Sequence, residues 1–263
     1  MLTRQVFRVY EVLDREGYFQ QDFAYGCVDA GYVPGALGHD LEGVFLLELR
    51  KPDLWPIYRG LQEYRYSEDD LLDVLEFLHE HCSMPTKCQY HGFSDCGYHC
   101  TEFDPDREKG RREIREKINP ILEMYGTGYE LSADGEILEK GETHLDALLT
   151  VSLPPVDRDN VETRVEAACT EFRRHRSSLS DRRQALRELA DVLEFLRPQL
   201  RKVLTKADES DLFNLLNNFG IRHHTTEQKT DYDKPIFYSW MFYHHLAAIH
   251  AGIRLIKKAN DGI

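Results

Sequence analysis

The chain has 263 residues, of which 41% are hydrophobic and 30% are charged. This apolar content can fill one sizeable core or two modest ones, and the abundance of Lys, Arg and Glu excludes a membrane protein. The formal net charge of -13 argues against loose binding of the whole surface to nucleic acid or to an anionic membrane. We therefore expect two domains and no membrane contact.

The N-terminal segment lacks the features of a signal peptide. It reads MLTRQVFRVYEVLDREG, with charges from Arg4 onward and no apolar stretch, so we expect a cytoplasmic protein. Of the six cysteines, four fall between residues 82 and 100. In a reducing compartment this clustering favours free thiols or a metal site over a disulfide framework.

The first half of the chain is predicted to be mainly helical. Apolar residues at helical spacing begin at Val6, and Val44 to Leu49 is typical of a buried helical turn. Ser67 followed by Asp70 resembles a capping box, which predicts a helix from residue 67 to about His81.

The next hundred residues mix irregular, helical and strand-like patterns. We expect an irregular Cys/His segment over 82–106, a helix over 107–125, and a β-hairpin over 129–138 whose Asp-Gly turn supplies the positive φ. The Pro154-Pro155 region is the best boundary. The predicted domains are an α-rich unit over 1–152, with the Cys/His segment and one hairpin, and a helical unit over 157–263.

The helix over 107–125 and the hairpin after it also allow a winged-helix interpretation. The helix carries local positive charge, but the hairpin and its exit carry Glu130, Asp134, Glu136, Glu139 and Glu142 against Lys140. A phosphate backbone would repel such an acidic wing. A protein-binding or structural role is therefore favoured over DNA recognition.

The C-terminal domain is predicted to be helical throughout, over about 160–177, 181–205, 207–219 and 233–258. The last helix has Asp233 as a candidate cap, and its apolar stretch fits the centre of a bundle better than a membrane span. His244 and His245 are adjacent, so their rings point to neighbouring faces and at least one should leave the core.

Positive charge is concentrated in one part of this domain. Between Arg164 and Lys206 the sequence has eleven Lys or Arg and six Asp or Glu. Any contact with RNA or DNA is expected there, although charge runs of this kind also occur as solvated faces between helices.

One longer stretch carries a resemblance. The motifs are YHGFSDCGYHCTEFD, REKINPILEMYGTGYELSADGEI and DLFNLLNNFGIRHHTTEQKTDYDKPIFYSWMFYHHLAAIHAGIRLI, and together they span roughly residues 75 to 258. They resemble bacterial abortive-infection (AbiJ-like) proteins, and the C-terminal half resembles a HEPN-like helical bundle. The resemblance implies phage defence, metal-independent RNA cleavage, a homodimer, and a possible partner protein of a defence system.

The resemblance also assigns site residues. HEPN ribonucleases carry an arginine, a polar residue and a later histidine between the last two helices; here Arg222 and His223 match the first half, and Gln228 stands where the second histidine is expected. Arg222, His223 and His224 are the candidate catalytic residues, because arginine can grip phosphate and imidazole can move protons near neutral pH. The candidate substrate-binding residues are Asn218, Gln228, His244 and His245.

Gln228 leaves two interpretations open, because an amide can bind a phosphate or a base but cannot transfer a proton. Either a nearby histidine takes over and the protein cleaves RNA, or the bundle is a non-catalytic sensor or scaffold that binds RNA, a nucleotide or a partner protein. A structural role for Arg222 and the histidines, capping a helix and pairing with Asp231 or Asp233, is the third alternative.

The cysteine-rich segment is the second candidate site. Cys82, Cys88, Cys96 and Cys100, with the histidines between them, supply enough ligands for one tetrahedral zinc ion. Only Cys96 to Cys100 is compact, so buried or free thiols are the preferred interpretation and no cofactor is required.

Overall fold

The fold is known from a computed structural model of the chain. It describes residues 1–63, 65–126, 128–140, 145, 148–149, 152–219 and 231–260, without the side chains of 62, 95 and 215–218. These residues are mainly helical, with small pairs of antiparallel strands. The chain divides into two compact units, Met1–Lys140 and Gly141–Ile263.

Among the described residues of the first unit, five α-helices form its body. They are α1 (Leu2–Arg15), α2 (Leu41–Leu49), α3 (Ile57–Gln62), α4 (Glu68–Glu80) and α5 (Glu108–Glu123). Each helix turns one apolar face to a shared core, as Val6 and Leu13 of α1 and Ile114 and Ile118 of α5 do. Burial of these faces stabilises the unit because it removes apolar surface from water.

The start of α4 confirms a local prediction. The Ser67 hydroxyl accepts a hydrogen bond from the Asp70 amide at 3.2 Å, and the Asp70 carboxylate accepts one from the Ser67 amide at 3.1 Å. Two backbone donors that the helix leaves without partners are satisfied in this way.

Three antiparallel strand pairs are also found in the part of the first unit that the structure describes. They are β1 (Tyr25–Cys27) with β2 (Gly31–Val33), β3 (Pro85–His91) with β4 (Gly97–Phe103), and β5 (Tyr129–Leu131) with β6 (Ile137–Glu139). The β5–β6 pair confirms the predicted hairpin, and Gly135 has φ +90° in its turn. The expectation of an irregular segment over 82–106 was wrong, because β3 and β4 pair through most of it.

The β5–β6 hairpin is fixed against α5. The Asn119 side chain donates to the Leu131 carbonyl at 3.1 Å and accepts from the Leu131 amide at 2.8 Å. Leu131 and Ile137 are buried in the core. This packing supports a structural role for the hairpin. Its acidic charge also favours that role over the role of a DNA-binding wing.

The second unit consists of four α-helices in the described residues. They are α6 (Thr163–Arg173), preceded by a π-helical turn at Arg158–Glu162, α7 (Leu179–Leu200), α8 (Lys206–Asn218) and α9 (Lys234–Asn260). Its core is formed mainly by α6, α7 and α9, whose buried faces include Phe172, Leu193 and Phe242. The rings of Phe172 and Phe242 stack with their centres 4.0 Å apart.

Helix α9 begins as the sequence predicts. The Asp233 carboxylate accepts a hydrogen bond from the Ile236 amide at 3.1 Å, which satisfies a free donor of the first turn. Among the helices within the described ranges, α9 included, we find no segment of the length and apolarity that a membrane crossing requires.

Candidate functional site

The predicted Arg-His patch falls between α8 and α9. Arg222, His223, His224 and Gln228 lie outside the described residues. Asn218 is the last residue of α8, and its side chain is also outside the description. We call residues 220–230 the Arg-His segment. The described part of this site therefore consists of Phe219 before the segment, Asp231 and Tyr232 after it, and the start of α9.

The two flanks of that segment are in contact. The Tyr232 hydroxyl donates a hydrogen bond to the Phe219 carbonyl oxygen at 2.9 Å, and the two rings lie edge to face with centres 5.8 Å apart. Phe237, in the first turn of α9, lies 6.0 Å from Phe219 and 5.0 Å from Tyr232, measured between ring centres. The end of α8 and the start of α9 therefore meet in one aromatic cluster, formed by Phe219, Tyr232 and Phe237.

Trp240 extends this cluster to the surface. Its ring lies 5.9 Å from Phe219, 5.9 Å from Phe237 and 6.0 Å from His244, and the residue is 45% exposed. Trp240 and His244 are four residues apart on α9, so their side chains meet on one face of the helix. An exposed indole on a rigid helix is a surface on which a planar ring can stack.

The adjacent histidines have different environments. His244 is half-buried, and this burial lowers the pKa of its imidazole. Desolvation disfavours the cation, so the ring is neutral at pH 7. Its Nδ1 atom is buried, and no group in the described part of the chain hydrogen-bonds to it. His244 can therefore act as a neutral hydrogen-bonding group beside Trp240.

His245, the other predicted substrate-binding histidine of this helix, lies in the core. It is 0% exposed, and its Nδ1 is 2.5 Å from the Met241 carbonyl oxygen, to which it donates. Burial lowers the pKa of His245 to about 4, although the bond to Met241 opposes the shift. A substrate outside the core cannot reach this ring, so His245 has a packing role and is not part of the surface beside Trp240.

The four cysteines considered for zinc do not come together. Cys88 and Cys100 face each other across the β3–β4 pair and form a disulfide bond. Cys82 is buried and donates to the Gly110 carbonyl oxygen at 3.2 Å, and burial raises the pKa of its thiol. The zinc set Cys82, Cys88, Cys96 and Cys100 is therefore wrong, and the preference for thiols or a metal site over a disulfide is wrong for Cys88 and Cys100.

Cys96 instead belongs to a group in which sequence reasoning missed one member, Cys27. Cys27, His91, Cys96 and His99 each direct one ligand atom into a common space, and these atoms all lie within 4.8 Å of one another. The compact Cys96–His99 spacing was visible in the sequence. Cys27 lies 64 residues before His91, so only the folded chain reveals its place in the group.

A cavity of 500 Å³ lies in the second unit. It is lined by apolar residues such as Leu148 and Leu246, with Glu162, Cys169 and His250 among them. One Glu162 carboxylate oxygen accepts the Val156 amide at 2.6 Å, so Glu162 holds the segment before α6 against the helix. This contact gives Glu162 a structural role at the wall of the cavity.

Comparison of the chain with protein-family models, with curated proteins and with solved structures gave no match in any of the three.

Proposed function

We propose that the second unit is a HEPN-like bundle that cleaves RNA without a metal ion, in a phage-defence response of the abortive-infection type. The site is formed by Arg222, His223 and His224 together with Trp240 and His244. The contact between Tyr232 and Phe219 is the observation that carries this proposal, because it brings both ends of the Arg-His segment beside the exposed indole.

Chain connectivity supports the grouping. Three peptide units join Phe219 to Arg222, and each spans at most about 3.6 Å, so the two Cα atoms are no more than about 11 Å apart. An extended arginine side chain adds several ångströms of reach. Covalent geometry therefore allows the Arg222 guanidinium to meet a phosphate next to a base stacked on Trp240.

The chemistry assigns a role to each group. A neutral histidine, His223 or His224, takes the proton of the ribose 2′-hydroxyl, and the 2′-oxygen attacks the adjacent phosphorus. Arg222 binds two phosphate oxygens and stabilises the added negative charge. The bond from phosphorus to the 5′-oxygen breaks, and the second imidazole protonates that oxygen. The products are a 2′,3′-cyclic phosphate and a 5′-hydroxyl.

Trp240 and His244 contribute binding. Stacking of a base on an aromatic side chain contributes about 1–3 kcal/mol and depends little on sequence. His244 offers a neutral ring beside the indole, and Asn218 and Gln228 supply amides for phosphate or base edges. A homodimer would place two such patches together and supply additional histidines to each active site.

A non-catalytic role is the second candidate. It is favoured by Gln228, which cannot move a proton, and by the burial of His245, which removes one histidine that could replace it. In this case the same aromatic and cationic surface binds RNA, a nucleotide or a partner protein of a defence complex.

The test is incubation of the purified full chain with total RNA and tRNA in the presence of EDTA. Wild type is compared with Arg222→Ala and with Arg254→Ala, an exposed arginine on α9. We expect wild type and Arg254→Ala to produce fragments with cyclic phosphate ends, and Arg222→Ala to lose at least 100-fold in rate.

Trp240→Ala separates binding from chemistry. It should weaken RNA binding about 10-fold or more, whereas Leu255→Ala, which also removes an exposed apolar side chain of α9, should not. Binding without cleavage would establish the sensor or scaffold role. If wild-type protein neither cleaves nor binds RNA, both forms of the RNA proposal fail. Protection against phage that survives Arg222→Ala would contradict a defence role for the patch.

A further inference from the structure

We propose that Cys27, His91, Cys96 and His99 bind one zinc ion, which joins the β1–β2 and β3–β4 hairpins of the first unit. Cys27 ends β1 and His91 ends β3, whereas Cys96 and His99 lie on either side of the start of β4. All four residues belong to the Met1–Lys140 unit. The proposal is independent of the RNA site in the second unit.

The distances fit a slightly open tetrahedral site. Cys27 Sγ lies 3.8 Å from His91 Nδ1, and Cys96 Sγ lies 3.3 Å from His99 Nε2. Zinc–sulfur bonds of about 2.3 Å and zinc–nitrogen bonds of about 2.0–2.1 Å give ligand separations of about 3.3–3.8 Å in a tetrahedron. With all four ligand atoms already within 4.8 Å, movements of about 1 Å or less complete the geometry.

The surroundings of the ligands support the same assignment. With Nδ1 of His91 directed at Cys27, its Nε2 lies 3.3 Å from the Asp29 carboxylate. Metal-binding histidines commonly donate their other ring nitrogen to a carboxylate, which fixes the tautomer and orients the ring. The Ala30 amide donates to Cys27 Sγ at 3.4 Å, an interaction that stabilises a thiolate.

The hairpins have little apolar packing of their own. Residues Thr86 to Tyr90 of β3 are exposed, and the exposed aromatic side chains of the β3–β4 hairpin are Tyr90, Phe93 and Tyr98. The Cys88–Cys100 disulfide ties β3 to β4 but does not reach β1. A metal ion bound by both hairpins would supply folding energy that their apolar contacts do not.

The ligand set identifies the ion and its role. Two thiolates and two imidazoles are typical of structural zinc, whereas magnesium and calcium prefer oxygen. Four protein ligands leave no open position for a reacting water. Glu48, Glu80 and His81 form another group of close ligand atoms, but both glutamates are exposed and His81 Nδ1 is already bound to Asp22.

The experiment measures metal in the untagged full chain after gel filtration in a chelator-free buffer. Elemental analysis is expected to give about one zinc per chain, and cobalt exchanged into the site should show the absorption of a tetrahedral ion with two sulfur ligands. Cys27→Ser and His99→Gln should each lose most of the zinc. The controls Cys169→Ala, in the second unit, and His39→Gln, an exposed histidine, should keep it.

Asp29→Asn tests the contact between the Asp29 carboxylate and His91 Nε2 without changing any of the four zinc ligands. It should weaken zinc affinity about 10-fold or more while the far-ultraviolet spectrum is unchanged. Two results would overturn the proposal: full zinc retention in a Cys27→Ser/Cys96→Ser double variant, or wild-type protein without zinc in which Cys27 and Cys96 are joined by a disulfide. Because the readout is bound metal, neither result depends on RNA cleavage.

Discussion

The Tyr232 hydroxyl and the Phe219 carbonyl oxygen are 2.9 Å apart and join the two ends of an otherwise long connection between helices. Phe219 directly follows Asn218, the last residue of α8, and Tyr232 lies two residues before the start of α9. The bond therefore ties the end of α8 to the start of α9.

Tyr232→Phe should loosen this junction while keeping the ring contacts. Loss of one hydrogen bond to a half-buried carbonyl costs about 1 kcal/mol of unfolding free energy for the second unit. Urea denaturation followed by Trp240 fluorescence in a Trp55→Phe background measures this change. RNA binding should fall in parallel; an unchanged affinity would show that the junction does not organise the site.

In the first unit, Asp22 is the centre of a buried ionic group. His81 Nδ1 lies 2.5 Å from one Asp22 oxygen, and the Arg107 guanidinium binds both oxygens, one of them at 2.8 Å. Asp22 is only 2% exposed. Burial alone would raise its pKa, but the hydrogen bonds from His81 and Arg107 lower it to about 2.

We expect Asp22→Asn to destabilise the first unit by about 3 kcal/mol, because Arg107 loses its anionic partner beside a buried site. Asp134→Asn, at an exposed turn position, should have little effect. In wild type the stability that Asp22 contributes is present above the unfolded pKa of about 4 and is lost as the pH falls toward 2. Urea midpoints of both variants, followed by Trp55 fluorescence, measure these effects.

His245 should make the second unit sensitive to mild acid. The unfolded chain binds a proton near pH 6.5, whereas the buried ring resists it until about pH 4. Stability is therefore lost as the pH falls through this window, by up to about 1.4 kcal/mol per pH unit. His245→Gln should reduce this slope most, and His244→Gln should reduce it less because that ring is half-buried. Equal slopes in wild type and His245→Gln would contradict the assignment.

Gly110 marks a close approach of α5 to the end of α4. A Cβ atom at this position would lie 2.7 Å from the Cys82 carbonyl oxygen and 2.7 Å from the Met84 amide nitrogen, both of them backbone atoms. Gly110→Ala should therefore cost about 1–3 kcal/mol, even though alanine favours helix. At Gly26 a Cβ would meet nothing within 4 Å, so Gly26→Ala is the control in thermal unfolding.

Local chemistry made part of this fold predictable. The Ser67 capping box, the Asp233 cap and the Asp134-Gly135 turn each act within a few residues, and each was found where the sequence placed it. The β3–β4 pair was missed because its side chains are polar or exposed on both faces. Such a strand has no alternation of apolar and polar residues to reveal it.

The candidate sites were predictable only in part, because they depend on contacts between residues that are far apart in the sequence. The adjacency of His244 and His245 correctly indicated that their rings would point to neighbouring faces, but which ring enters the core depends on how α9 packs. The association of Cys27 with His91 and Cys96 comes from two separate hairpins. No spacing rule connects residues that the chain brings together only after folding.

Both partners of Asp22 are synthesised long after Asp22 itself. His81 follows Asp22 by 59 residues and Arg107 follows it by 85. In a nascent chain Asp22 therefore lacks the Arg107 guanidinium until residue 107 has left the ribosome, because contacts of such long range form only when both ends are available. Translation products that stop before this arginine should be recognised as unfolded and degraded.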